Sequence, residues 1–250
     1  MLFLVLALAG LGIGVLGSLL GIGGGIFVVP LLLLTGWVGT SQEAVGTSVV
    51  AVLATGTSAS LVYLRRRITP WQVSVGLMPG ALGGSYLGAF LAGKVASGAL
   101  AFAFGVFLLY PATVLLLGKE PKELVRAQNA RAFPWWVLVC VGFIAGLAGS
   151  LFGIGGGTII VPILIWLGLP MIEAAAGSLL VMVPTAALST ALHALAGRTH
   201  WDLAFPLVAG VLVGGQLGPL LALRLPQRVL RRLFALVLLY SAANMIRRGL

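Results

Sequence analysis

Long apolar runs alternate with short polar breaks along most of the chain, and the runs are too long for strands. In the first half, runs at roughly 1–20, 43–64, 70–93 and 97–117 predict helices able to cross a bilayer core, which needs about 20 helical residues. Runs at roughly 134–152, 171–196, 201–223 and 227–246 predict the same in the second half. A shorter run follows the first in each half, at roughly 26–36 and 158–168, and cannot cross alone. The breaks before these short runs carry one phrase twice: Gly17 to Pro30 reads GSLLGIGGGIFVVP, and Gly149 to Pro162 reads GSLFGIGGGTIIVP. Gly-Ile-Gly-Gly-Gly is a poor helix former. A broken membrane helix frees backbone N–H and C=O groups, which are tolerated at depth only inside protein or along a cavity. Each glycine run, with Pro30 or Pro162, therefore predicts a hairpin or broken helix.

The repetition extends beyond the phrase. Glu43 aligns with Glu173, Ser48 with Ser178, Trp71 with Trp201, Gly84 and Gly88 with Gly214 and Gly218, Lys94 with Arg224, and Tyr110 with Tyr240. The expected fold is an all-α integral membrane protein of two homologous repeats. Each has about four spanning helices plus a short broken or re-entrant segment. The repeats are expected at 1–118 and 133–250, joined by a polar cytoplasmic linker at 119–132. If each broken region returns, the repeats are inverted; if it crosses, they are parallel. Both versions keep Arg65 to Arg67 and the linker on the cytoplasmic side. The inverted version is preferred, since it explains alternating access by exchange of two half-structures.

Composition narrows the class. The 250 residues are 60% hydrophobic and only 8% charged, with a mean hydropathy of +1.15, which points to an integral membrane protein. The net charge of +10 lies in short loops, as the positive-inside bias requires, so nucleic acid is not an expected partner. Cys140 alone makes no disulfide or metal cluster and reads as a small buried hydrophobe. Met1 to Leu20 has no basic leader and reads as structure rather than a signal peptide. The six tryptophans, near span ends, read as interfacial belts. No nucleotide-binding motif, His-x-x-x-His or acid cluster occurs, so neither an enzyme nor a cofactor is expected.

The duplicated G-S-L-x-G-I-G-G-G-x-x-x-V-P phrase, the central polar linker and the basic loop after the third apolar run resemble the sulfite exporter TauE/SafE family. These are small bacterial and archaeal permeases. The resemblance implies a plasma-membrane transporter for small sulfur-containing anions such as sulfite or organosulfonates. It leaves the compound and the direction open, and an anion channel or a permease for a non-sulfur small anion is the alternative.

The residues suggest where such an anion binds. Gly21, Gly23, Gly24, Gly25, Gly153, Gly155, Gly156 and Gly157 lack blocking side chains, and each run opens a helix whose N-terminal N–H groups favour anions. The alternative is that they only permit close packing, the reading given to the spaced Gly84, Gly88, Gly214 and Gly218. Ser18, Ser150, Ser48, Ser178 and Thr158 are candidate hydroxyl donors, although Ser and Thr in lipid often bond their own helix carbonyls. Glu43 and Glu173 at helix starts, and His193 near a span end, are proton-coupling candidates. An N-terminal capping role is the competing reading for the two acids, and a satisfied interfacial position for the histidine. Gln216 is equally suited to lining a path or bonding across helices.

Overall fold

The computed structural model describes residues 2–96 and 134–226 throughout, and part of 98–113 and 229–247. The linker expected at 119–132 lies outside the described residues, and the apolar runs expected as the last spans of each half lie partly outside them. The continuously described chain folds into eight helices: α1 (Leu2–Leu20), α2 (Gly25–Leu34), α3 (Ser41–Arg65), α4 (Trp71–Ala92), α5 (Trp135–Phe152), α6 (Gly157–Trp166), α7 (Met171–Leu195) and α8 (Trp201–Ala222). Six are long and apolar enough to cross a membrane, while α2 and α6 have only 10 residues each. At about 1.5 Å per residue the short pair reach about half the hydrocarbon core.

Local signals explain the boundaries. Thr40 and Glu43 form a capping box that starts α3. Gly24 and Gly156, the residues before α2 and α6, are left-handed at φ 82° and 80°, a conformation glycine adopts without penalty. The chain then doubles back. Ile22 and Gly23 N–H both donate to Gly17 O, at 2.9 and 3.2 Å, and Gly24 lies against Ile13. The second half repeats this with Ile154, Gly155 and Gly149.

Glycine spacing sets the helix pairs and their directions. Gly10 and Gly14 of α1 pack on the backbone of Leu207 and Val211, and Gly210, Gly214 and Gly218 of α8 pack on Ala7, Leu11 and Val15. Both numberings rise together, so α1 and α8 are parallel. In α4 and α5, Gly80, Gly84 and Gly88 meet Val139, Phe143 and Leu147, again in parallel. Small residues every fourth position let membrane helix backbones approach closely, the role expected of Gly84, Gly88, Gly214 and Gly218. α3 runs parallel to α8, held by Ser58 Oγ to Leu212 O (2.7 Å) and Thr199 Oγ1 to Gly46 O (3.2 Å). α7 runs parallel to α4, with Ser85 Oγ donating to Thr185 O (3.0 Å) and Gly177 against Pro70.

Short loops make α3 antiparallel to α4 and α7 antiparallel to α8. The trio α1, α3, α8 therefore opposes the trio α4, α5, α7. Helices α1, α3 and α4 each run opposite to their sequence counterparts α5, α7 and α8, so the two sets are related by an approximate two-fold that reverses direction. The outer surface carries exposed Phe3, Leu4, Ile144, Phe205 and Val213, as a lipid-facing wall does. Cys140 is exposed on it. It is not the buried hydrophobe expected, because the inner face of α5 is taken by Leu138, Gly142 and Ala145.

Candidate functional site

The two glycine loops cross at mid-depth. Gly23 and Gly155 both abut Val52 and Met182, the midpoints of the 25-residue helices α3 and α7. Gly25 packs on Gly153 O and Ile154, and Gly157 packs on Gly21 O and Ile22. The N-terminal ends of α2 and α6 thus meet in the middle of the bundle. Side chains from the opposite half satisfy the loop carbonyls: Ser48 Oγ donates to Gly153 O (2.8 Å), and Ser178 Oγ to Gly21 O (2.9 Å). The exchange is reciprocal, as a two-fold contact demands. Gly21, Gly23, Gly153 and Gly155 have φ between 72° and 78°, so the glycines meet a backbone requirement as well as a steric one. In this conformation backbone fills the crossing.

Beside the crossing lies a small cavity of about 10 Å³, room for one water, between α3, α4, α5 and α7. Its lining includes Gly155 from the crossing and four hydroxyl side chains, Ser85, Ser150, Thr185 and Ser189. Ser150 and Ser189 hydroxyls are 2.5 Å apart. One turn beyond Ser189, His193 is fully buried with Nε2 3.4 Å from Ser150 O, and its Nδ1 has no partner among the described residues. The counterpart region of the first half is built differently. Ser18 turns to its own helix carbonyl at Gly14 (2.6 Å), whereas Thr55 matches its counterpart: Thr55 Oγ1 donates to Ala51 O (2.8 Å) as Thr185 Oγ1 donates to Val181 O (3.0 Å). Ala59 stands where the second half has Ser189, and Gly215 where the first half has Ser85. Tyr63 takes the place of His193 and is fully buried, its hydroxyl 3.4 Å from Ser18 O.

A third space opens farther along α7. A cavity of about 250 Å³ lies between the C-terminal ends of α4 and α7, with Tyr86, Phe90, Lys94, Leu192, Ala196 and Arg198 among its lining. Among the described residues, its lining holds two cations and no acid. Arg198 Nη1 donates to Ala89 O (3.3 Å), and the Lys94 ammonium sits 4.2 Å from the Phe90 ring centroid. His193 stands on α7 between this cavity and the hydroxyl cavity.

The sequence candidates therefore separate. Six of the eight glycines, with Ser48 and Ser178, converge at the crossing, while Gly24 and Gly156 lie against Ile13 and Ala145 of their own halves; Ser150 and Gly155 reach the hydroxyl cavity; Ser18 bonds chiefly to its own helix. Thr158 Oγ1, in the first turn of α6, is buried without a hydrogen-bond partner among the described residues. Glu43 and Glu173, paired by sequence, lie on opposite faces because their helices are antiparallel. Glu43 Oε2 accepts from Gly39 N (2.9 Å) and Thr40 N (3.2 Å) and lies 3.6 Å from His200 Nε2, about 13 Å along α3 from the crossing. His193, expected near the interface, is buried because α5 packs over it. Gln216 is exposed. Ser85, Thr185, Ser189, Lys94 and Arg198 were not singled out from sequence. The four-residue spacing of Thr185, Ser189 and His193 on one helix face was the available signal.

Comparison with known proteins places the chain among membrane transporters. The chain is 29% identical to the probable membrane transporter protein YunE of Bacillus subtilis, over 99% of this chain and 98% of that one. It is 30% identical to a probable membrane transporter protein of Xylella fastidiosa strain Temecula1, over 97% and 92%. It is 32% identical to the probable membrane transporter protein MJ0441 of Methanocaldococcus jannaschii, over 69% and 65%. No solved structure matches. The model of the sulfite exporter TauE/SafE family matches residues 6–245, and the chain belongs to that family of membrane transporters.

Proposed function

We propose that this chain is a secondary transporter of the plasma membrane that moves a small sulfur-containing anion by alternating access. The observation that carries the reading is the reciprocal crossing of two half-length helices at the middle of an inverted bundle. Half-helix N-termini at mid-depth are where transporters hold anionic groups. The anion takes its place at the crossing when α2 and α6 separate, with Ser48, Ser178 and Thr158 as hydroxyl donors there and Ser150 beside it. Donors without full charge hold an oxyanion without trapping it. The described conformation is closed at the crossing. The linker and Arg65–Arg67 face the cytoplasm, by the positive-inside bias.

Of the three proton-coupling candidates, His193 adjoins the hydroxyl cavity, so coupling is assigned to it rather than to Glu43 or Glu173. The decisive experiment is sulfite and sulfoacetate flux in proteoliposomes, with and without a proton gradient. Saturable uptake, accelerated by the same anion on the far side and lost in Gly156→Leu, is expected. Flux that rises linearly without counterflow exchange refutes the carrier reading. Flux indifferent to collapse of the proton gradient refutes coupling alone.

A further inference from the structure

We infer that the 250 Å³ cavity between the ends of α4 and α7 is an oxyanion-capture site at the extracytoplasmic mouth of the path, with Arg198 and Lys94 as its binding cations. The inference rests on the transporter reading above and adds a second, peripheral station to it. Helix directions place the cavity. α3 ends at Arg65, and α4 and α7 run antiparallel to α3, so their C-terminal ends lie on the face opposite Arg65–Arg67. Among the described residues, two basic side chains converge here with no acid in the lining. A cleft of one charge sign with apolar walls, here Phe90 and Leu192, concentrates counter-ions.

The two cations are held differently. Arg198 is fixed from two sides: Nη1 donates to Ala89 O, and the guanidinium lies so close to Gly93 that a Cβ there would strike it. That leaves a planar fork able to face an oxyanion. Lys94, resting on the Phe90 ring, is a mobile point charge on the exposed side. The way inward follows α7. Leu192 and Ala196 line this cavity, Ser189 lines the hydroxyl cavity, and buried His193 lies between them. An anion captured here has one side chain to pass before it meets hydroxyl donors. The ligand is a small oxyanion, sulfite or sulfonate in chemistry; an anionic lipid headgroup offers the same groups and is the competing occupant.

The test reads electrostatic potential rather than flux, so it stands or falls separately from the transported compound. Ala196→Cys is introduced into full-length protein carrying Cys140→Ser, in cells and in phosphatidylcholine vesicles. It is labelled from either side with anionic and cationic membrane-impermeant methanethiosulfonates, each rate normalised to that of a free thiol. The expected result is labelling from outside the cell, with the anionic reagent favoured about tenfold. The preference disappears in Lys94→Gln/Arg198→Gln, is largely kept in Arg198→Lys, and labelling is slowed by millimolar sulfate or sulfoacetate. Equal normalised rates for the two reagents overturn the inference, as does labelling only from the cytoplasmic side. Protection by phosphatidylglycerol vesicles but not by sulfate assigns the cavity to lipid and also overturns it.

Discussion

Single residues at the crossing combine two constraints, and substitutions separate them. Gly153 and Gly21 each have positive φ and face backbone of the opposite half. Gly153→Ala incurs left-handed strain of about 1–2 kcal/mol and overpacking of about 1–3 kcal/mol. It should lower the thermal midpoint in detergent sharply, whereas Gly12→Ala, which meets nothing within 4 Å, should not. Arg67 shows the backbone constraint alone. It is the non-glycine residue with positive φ (56°) among the described residues, and its counterpart is Gly197 at 67°. Arg67→Gly should raise stability by up to about 1 kcal/mol, read from the same melting curve. The crossing serines act through hydrogen bonds. Ser48→Ala leaves Gly153 O without its cross-half donor and should cost about 1–3 kcal/mol, while Ser48→Thr tests whether a hydroxyl alone suffices.

At the scale of elements, stability depends on two parallel glycine seams, α1 with α8 and α4 with α5. A side chain at Gly84 would strike Phe143 O and Leu147 N, while at Gly83 its nearest neighbour is the edge of the Phe143 ring at 3.8 Å. Gly84→Leu should therefore abolish a monodisperse peak in size-exclusion chromatography, with Gly83→Leu retaining it. These seams were legible in the sequence because four-residue glycine spacing has one economical meaning in lipid. The capping box was legible for the same kind of local reason. Removing it by Thr40→Ala should cost about 1 kcal/mol, visible as faster amide exchange in the first turn of α3.

The whole molecule adds asymmetry to a symmetric frame. The half-path of α4, α5 and α7 holds Ser189, His193 and a cation-lined mouth, while its counterpart along α3 holds Ala59 and buried Tyr63 in the places of Ser189 and His193. In the closed conformation a thiol at Ser189→Cys should label faster than one at Ala59→Cys, and only from the face of Lys94. His193→Tyr, which copies the Tyr63 plug, should slow that labelling without lowering the melting temperature. Equal labelling of both thiols from both faces would remove the asymmetry as a functional feature.

Much of this protein is determined by sequence alone. Membrane helices follow from apolar run length, the breaks from contiguous glycines, and the seams from glycine spacing, because each depends on chemistry within a few turns of chain. The loop that returns beside α1, the reversed direction of the second half and the partners of each hydroxyl were decided only by tertiary structure. They depend on which distant segment approaches: Ser48 finds Gly153 and Ser178 finds Gly21. Glu43 and Glu173 show the limit most plainly. Aligned in sequence, they are separated by the reversal itself, since equivalent positions in an inverted pair lie on opposite faces. Ser85, Ser150, Thr185 and Ser189 show the converse, scattered over three helices and brought to line one cavity by packing alone.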